Sequence, residues 1–373
     1  MKTSNHRKVR YAVIGLGHLA QVAVLPAFAR ARNSELVALV SGDPKKQSKL
    51  AKMYGVKRVY AYDQYEECLA QGVDAVYIIL PNHLHREFSV RAAEAGVHVL
   101  CEKPMAVSSE DCRDMIAAAR KNKCKLMIAY RLHFEKANLE AIDLVGRGRL
   151  GDLRFFSSDF AQQVVADNVR LTEPVKRGGG PIYDMGVYCI NAARYLFRSE
   201  PTKVLATSAS DGSARFRKAG EMTTVIMRFP QERIATFTAS FGAADIGHYT
   251  LVGTKGTLTA DPAYEYAEGL NLEIKVDGKA RKKQFPKRDQ FGAEISYFSD
   301  CILKNKQPEP SGEEGLADVR VVEAIYESAR TGKLVRLRSF AKKRRPSPAQ
   351  EIHRLPHGKP ETINTESPSG EAA

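Results

Sequence analysis

The sequence predicts an α/β protein of two unlike domains. An open, doubly wound parallel sheet comes first, and an α+β domain with an open, mainly antiparallel sheet follows. Three observations carry this reading. From Val9 to about Ala129, apolar runs rich in β-branched residues alternate with amphipathic stretches, the pattern of parallel strands joined by crossover helices. A glycine-rich turn follows the first run directly. Beyond Leu150, strand-like runs succeed one another without helices between them, which indicates antiparallel pairing. The 373 residues are enough for about two domains, each with its own core.

In chain order, strands are expected at Val9–Ile14, Leu36–Val40, Ala75–Leu80, His98–Leu100 and Leu126–Ala129. Helices are expected at Pro44–Tyr54, His83–Glu94 and Ser108–Lys121. Pro26 is expected to break the helix after the first strand near Leu25, because proline lacks an N–H and clashes with the preceding turn. In the second domain a Gly-rich loop, Arg177–Gly180, leads into one strong helix, Pro181–Phe197. Strands then follow at Lys203–Ser210, Met222–Phe229, Arg233–Phe241, Tyr249–Val252, Thr257–Ala260 and Leu272–Val276, and helices at Phe291–Lys304 and Glu313–Arg330. Ala235, Phe237, Ala239 and Phe241 alternate with Ile234, Thr236, Thr238 and Ser240, so one strand face is apolar and the other Thr-rich. The domains are therefore residues 1–130 and 131–340. From Ala341 to Ala373 the chain is poor in apolar residues and rich in Pro, Ser and charge, and a disordered tail is expected there.

Composition removes several classes. No apolar run approaches the ~18–20 residues of a membrane span. The N-terminal MKTSNHRKVR has no signal-peptide apolar region, so a cytoplasmic location without membrane association is expected. Six scattered cysteines form no CxxC pair and have no histidine at zinc spacing, which reads as reduced thiols and no metal. The formal net charge of +14 and the run Lys342–Arg345 raise nucleic acid as a partner, but no helix-turn-helix, zinc-finger or RNA-recognition motif accompanies them, and the run reads as a solvated linker.

Gly15-Leu16-Gly17-His18-Leu19-Ala20 is a GxGxxA fingerprint between a strand and a helix. The first glycine permits the tight turn. The second lets backbone approach a pyrophosphate at a helix N-terminus, where amide donors favour anions. Residues 1–130 are thus expected to form a Rossmann dinucleotide-binding domain. At the end of the second strand an NAD enzyme carries an acid that binds the ribose 2′-hydroxyl. Here Ser41 occupies that position, Gly42 and Asp43 follow in the turn, and Lys45 or Lys46 can meet a 2′-phosphate. NADP is expected over NAD. The competing reading has both lysines solvated and Asp43 on the ribose.

Strand 97–100 runs into Cys101-Glu102-Lys103-Pro104, which puts Lys103 at the carboxyl end of a parallel strand, where open α/β sheets bind ligands. In helix 181–197, Ile182, Met185, Cys189, Ala192 and Leu196 form an apolar stripe. Asp184, Tyr188, Asn191 and Tyr195 form a second stripe on the opposite side. That polar stripe is either a solvated face or acid–base equipment beside the triple-glycine loop.

The segments GLGHLA, ALVSGD, DAVYIILPNHLH, HVLCEKPMA, LMIAYRLHFEKANLEAI, GGGPIYDMGVYCINAARYLF and EEGLADVRVVEAIYESARTG resemble the Gfo/Idh/MocA oxidoreductase family, most closely its glucose–fructose oxidoreductase branch. The resemblance implies an NADP-dependent enzyme that moves a hydride between nicotinamide C4 and a sugar carbon, either an aldose C1 or a carbonyl. It maps Lys103 onto the active-site lysine, Asp184 onto the active-site acid, and Tyr188 onto a position where that branch also has Tyr. It places Pro81, Asn82, His85, Glu102, Lys103 and Arg131 along the nucleotide, beside Gly15, Gly17, His18, Leu19, Ser41, Gly42 and Lys46, and Tyr130 and His133 near the sugar. It also implies a homo-dimer or homo-tetramer formed through the open sheet. In this mechanism Tyr188 carries the proton. A free tyrosine titrates near ~10, so a cation must stand close to it, and Lys103 is the candidate. Asp184 orients Lys103 or binds a sugar hydroxyl, and loop Ala161–Lys176 sets the sugar.

Glucose–fructose oxidoreductases resemble exported enzymes with an N-terminal arm over their NADP. Only about eight residues precede the first strand here. A cytosolic aldose dehydrogenase or 1,5-anhydrofructose-type reductase that exchanges NADP(H) is therefore as much expected as the coupled reaction. The rival class is a non-catalytic sugar- or NADP-sensing regulator on the same fold. The presence of Lys103, Asp184 and Tyr188 argues against it.

Overall fold

The computed structural model describes residues 7–342 and 344–369. The first sheet comprises β1 (Val9–Ile14), β2 (Ser34–Val40), β3 (Arg58–Tyr60), β4 (Ala75–Ile78), β5 (His98–Glu102) and β6 (Leu126–Ala129). All are parallel, in the order β3-β2-β1-β4-β5-β6. The order reverses between β1 and β4, and the crevice beyond their carboxyl ends is where such sheets bind ligands. β3 was not expected from sequence: three residues at a sheet edge carry too short a pattern to register.

Pro26 does not break its helix. Helical backbone continues from residue 18 to residue 30, with a π turn at Ala20–Val24. The wider turn, in which Leu25 N–H reaches Ala20 O, makes room for a proline that lacks its own donor.

The second sheet has nine strands. β7 (Leu153–Ala161), β8 (Lys203–Ala209), β9 (Met222–Phe229), β10 (Arg233–Ser240), β11 (Ile246–Gly253), β12 (Gly256–Ala260), β13 (Leu270–Val276), β14 (Lys279–Phe285) and β15 (Val335–Arg336) lie in the order β14-β13-β12-β11-β7-β10-β9-β8-β15. Only the β7–β10 pair is parallel. The buried face is covered by the segment Ile182–Gly186, a second π turn, and the helix Val187–Phe197, which pack on Phe156, Ala235 and Phe237. Each large apolar side chain so buried contributes about 1.5–3 kcal/mol. The other face leaves Phe155, Leu205, Ile226 and Ile234 exposed. β14 is the edge strand, and Lys279, Arg281 and Lys282 on it are exposed.

Two features depart from the expected division. The helix Gln290–Leu303 does not cover the second sheet. Its Phe291, Ile295 and Phe298 join the cluster formed by Val9, Tyr11 and Val13 on one face of the first sheet. The segment 344–369, expected to be disordered, lies along the protein at discrete anchors. Lys342, just before it, is buried against Glu309 and Glu314. Arg345 pairs with Glu200 at 2.8 Å, and Gln350 donates to Glu309 O at 2.6 Å. Ile363 is only 5% exposed. Polar composition misled here because the polar groups themselves have fixed partners on the folded core. For the same reason Lys342 and Arg345 do not belong to a solvated linker. Among the described residues no helix is long and apolar enough to cross a membrane.

Candidate active site

A cleft of about 1160 Å³ opens between the two sheets, beyond the carboxyl ends of β1, β4 and β5. The Gly15–Leu19 turn lines one end. Gly15 has φ 95°, and a Cβ there would lie 2.3 Å from the Ile79 carbonyl oxygen, so only glycine fits. Gly17 is exposed, and a Cβ on it would meet nothing within 4 Å, which leaves its backbone open to approach from the cleft. The helix starts at residue 18. His18 Nδ1 is buried without a hydrogen-bond partner among the described residues. Burial and the nearby Arg170 hold its imidazole below the ordinary histidine value. Open backbone, helix N-terminus and an unpartnered ring nitrogen together fit the pyrophosphate of a dinucleotide.

At the end of β2, Ser41 is buried and lines the cleft, as does Lys46. Asp43 is otherwise engaged. Its Oδ1 accepts from the backbone N–H of Lys45 at 2.9 Å and Lys46 at 3.1 Å, capping the helix Pro44–Tyr54, and its Oδ2 accepts from Asn364 at 3.1 Å. A hydroxyl and an ammonium therefore line this end of the cleft. Gly42 does not line it. Gly42 is exposed in the turn, with Tyr62 packed beside it.

The cleft floor is a cluster of charge around one phenol. Lys103, at the end of β5, donates from Nζ to the Asp184 carbonyl at 2.9 Å and to its carboxylate at 3.1 Å. The same Nζ lies 4.7 Å from the centre of the Tyr188 ring. On the other side, the Arg131 guanidinium lies 5.1 Å from that ring. Arg131 is buried and held by the Tyr264 carbonyl at 2.5 Å and by Gln290 Oε1. Arg170 donates to the second Asp184 oxygen at 2.5 Å. Burial opposes the carboxylate charge of Asp184, but Arg170 and Lys103 outweigh it and hold the group well below the usual carboxylate range. Burial likewise opposes the charge on Lys103. Tyr188, Asp184 and Glu102 overcome it, and the ammonium is held above the ordinary lysine value. Asp184 is thus a fixed anion and not a proton donor. The π turn that carries it also presents its Asp184 carbonyl to Lys103, and such turns recur at functional sites.

Beneath Lys103, Glu102 Oε1 accepts from Tyr77 Oη at 2.9 Å, and Tyr77 is also 2.9 Å from Glu294 Oε1. One phenol proton cannot serve both carboxyls. Burial and the Glu102 charge push the Glu294 carboxyl well above the usual range.

Several expected site residues lie elsewhere. His85 is fully buried, with its ring nitrogens 2.9 Å from Pro104 O and 2.8 Å from Leu80 O. It braces the loop that presents Lys103 and does not touch the cleft. Tyr130 and His133 point behind the helix Val187–Phe197. Tyr130 donates to Asp318 at 2.6 Å, and His133 Nε2 meets Asn191 Oδ1 at 2.8 Å. The polar stripe of that helix accordingly divides. Asp184 and Tyr188 face the cleft, while Asn191 and Tyr195 are buried in polar networks and neither is solvated. The remaining expected residues, Leu19, Pro81, Asn82, Glu102 and Arg131 among them, line the cleft. Sequence reading missed Arg170, Tyr264, Glu265 and Tyr266, which complete its wall. Only Arg170 lay in a segment already singled out, the loop 161–176.

A family model described as "Oxidoreductase family, NAD-binding Rossmann fold" matches residues 9–130, and one described as "GFO/IDH/MocA C-terminal domain" matches residues 138–259. The chain belongs to the GFO/IDH/MocA oxidoreductase family. Among the relatives of this family member is an enzyme from Haloarcula marismortui named D-xylose 1-dehydrogenase [NADP(+)]. It is 31% identical over 343 residues, covering 90% of this chain and 95% of the relative. A crystal structure of an aldose–aldose oxidoreductase from Caulobacter crescentus, complexed with glycerol, superposes with a TM-score of 0.85 at 38% identity, covering 89% of this chain and all of that one. A 3-ketoreductase from Actinomadura kijaniata, solved with NADP and TDP-benzene, gives a TM-score of 0.75 at 25% identity, covering 87% of this chain and 98% of that one.

Proposed function

We propose that this oxidoreductase uses NADP and interconverts a sugar hydroxyl and its carbonyl, at an aldose C1 or a ketose or aldehyde carbonyl. The observation that carries the reading is the placing of one phenol, Tyr188, between two cations, part-buried Lys103 and buried Arg131, on the floor of the dinucleotide cleft. The nucleotide, when bound, supplies or accepts the hydride. The protein moves the accompanying proton. Tyr188 takes it from the sugar hydroxyl on oxidation and returns it on reduction. Lys103 and Arg131 flank the phenol ring, at 4.7 Å and 5.1 Å from its centre. Asp184 binds Lys103 in place, and Arg170 holds Asp184. Ser41 and Lys46 receive the 2′-phosphate, and the engagement of Asp43 with backbone and Asn364 supports NADP over NAD. The likeness of this chain to a D-xylose 1-dehydrogenase and an aldose–aldose oxidoreductase supports the substrate class.

Tyr188→Phe tests the reading. Turnover on a panel of aldoses should fall by roughly 10²–10⁴-fold, the usual contribution of a general acid–base group, with NADPH affinity nearly unchanged. Unaltered turnover would remove Tyr188 from the mechanism, and tighter binding of NADH than NADPH would remove NADP. We also propose that two copies associate through the open face of the second sheet, where Phe155, Leu205, Ile226 and Ile234 are exposed. Light scattering of the parent and of Ile226→Lys decides this: a dimer that becomes a monomer supports it, and a monomeric parent refutes it.

A further inference from the structure

The segment that ends the described chain crosses the mouth of the cleft from one domain to the other. Ile363 donates its backbone N–H to Gln21 Oε1 at 2.7 Å, and its carbonyl accepts from Gln21 Nε2 at 3.0 Å. Gln21 is fully buried on the helix that follows the GxGxxA turn, and the same Nε2 donates to Leu16 O at 2.9 Å within that turn. One side chain therefore couples the terminal segment to the loop that receives the pyrophosphate. Asn364 then donates to Asp43 at the end of β2. Thr365, Glu366 and Pro368 line the cleft itself. Pro368 O finally accepts from the backbone N–H of Val165 at 3.0 Å, on the loop after β7 in the other domain.

We propose that Ile363–Pro368 are a working part of the nucleotide site: a strap fastened to both domains that retains NADP(H) between turnovers. The inference rests on the reading of the cleft as an NADP site. Its physical basis is that a dinucleotide lying from Lys46 to Lys103 is covered by this segment. The nucleotide leaves only after the bonds to Asp43 and Val165 open. Fastening at both ends makes release of the nucleotide slow.

The test is the release rate of bound NADPH. The full chain is loaded with NADPH, mixed with excess NADP⁺, and followed by nucleotide fluorescence. It is compared with a chain ending after Asn364, which keeps the buried Ile363 but loses the cover and the Val165 bond, and with full-length Asn364→Ala. Melting of each chain without nucleotide checks that the fold is kept. The expected result is release at least tenfold faster from the shortened chain and several-fold faster from Asn364→Ala. Equal release rates in all three chains would overturn the proposal and leave the NADP reading intact. A full-length chain that binds no NADPH overturns both.

Discussion

Replacing Asp184 by Asn tests how Lys103 is held in the cleft. Asp184 accepts from Lys103 at 3.1 Å and from Arg170 at 2.5 Å, and its backbone carbonyl takes a second Lys103 bond at 2.9 Å. Asn keeps the carbonyl contact and loses the charge. A hydrogen bond to a charged group is worth about 1.5–3 kcal/mol. The side chains of Lys103, Asp184 and Arg170 are 10%, 22% and 32% exposed, so screening trims the Lys103 contact to about the lower half of that range. A loss of about 1.5–2 kcal/mol is roughly 10–30-fold in kcat/KM, since ~1.4 kcal/mol is tenfold. The pH profile separates this from general damage. Asp184 helps hold Lys103 above its ordinary value, so the alkaline limb of activity should move to lower pH in the variant. NADPH affinity, measured by fluorescence titration, should not follow. A kcat/KM within about twofold of the parent, with an unmoved alkaline limb, would refute the reasoning.

Other perturbations follow from the same geometry. Lys46→Ala should weaken NADPH by roughly tenfold or more, the scale of one charge-assisted bond, and leave NADH unchanged; equal loss of both would contradict the 2′-phosphate assignment. Lys342→Met removes the cation that Glu309 and Glu314 share while Arg194 still pairs with Glu314 at 2.8 Å, so unfolding free energy should fall by about 3 kcal/mol, the low end for a broken buried pair, in calorimetry. A fall under about 1 kcal/mol would make Lys342 a surface-like pair. Glu200 is opposed by burial but pulled below its ordinary value of 4.5 by Arg194 and Arg345. Its contribution is therefore complete above that value and lost as pH falls through the lower folded one, so the stability gap between the parent and Glu200→Gln should close in acid. A gap independent of pH would refute it.

How far the sequence could be read depended on whether a signal was local. VRYAVI followed by GLGHLA declares strand, turn and helix within twelve residues, and the structure has all three there. β14 could not be read, because KARKKQF is an edge strand whose charges occupy positions where an inner strand carries apolar alternation. At the site, Lys103 and Tyr188 were legible from motif and helix spacing. His85 and His133 were misplaced because a histidine in a conserved-looking motif can brace a loop or a helix from behind, and only burial separates the two cases. Arg170 was invisible, since its partner Asp184 meets it only once the loop folds back over the helix start. The terminal segment failed for the converse reason: its cohesion comes from pairings with Gln21, Glu200 and Glu309, none of which composition can see.

The return of the helix Gln290–Leu303 to the first sheet has a consequence for anyone who would treat the nucleotide unit as a cassette. Cutting after residue 130 strips Phe291, Ile295 and Phe298 from Tyr11 and Val13, and leaves one sheet face bare to water. A graft that exchanges cofactor preference with another protein must carry three pieces of chain together: residues 7–130, the helix Gln290–Leu303, and the terminal segment bonded to Gln21. Separate family models match the two halves, but the finished molecule is sewn shut.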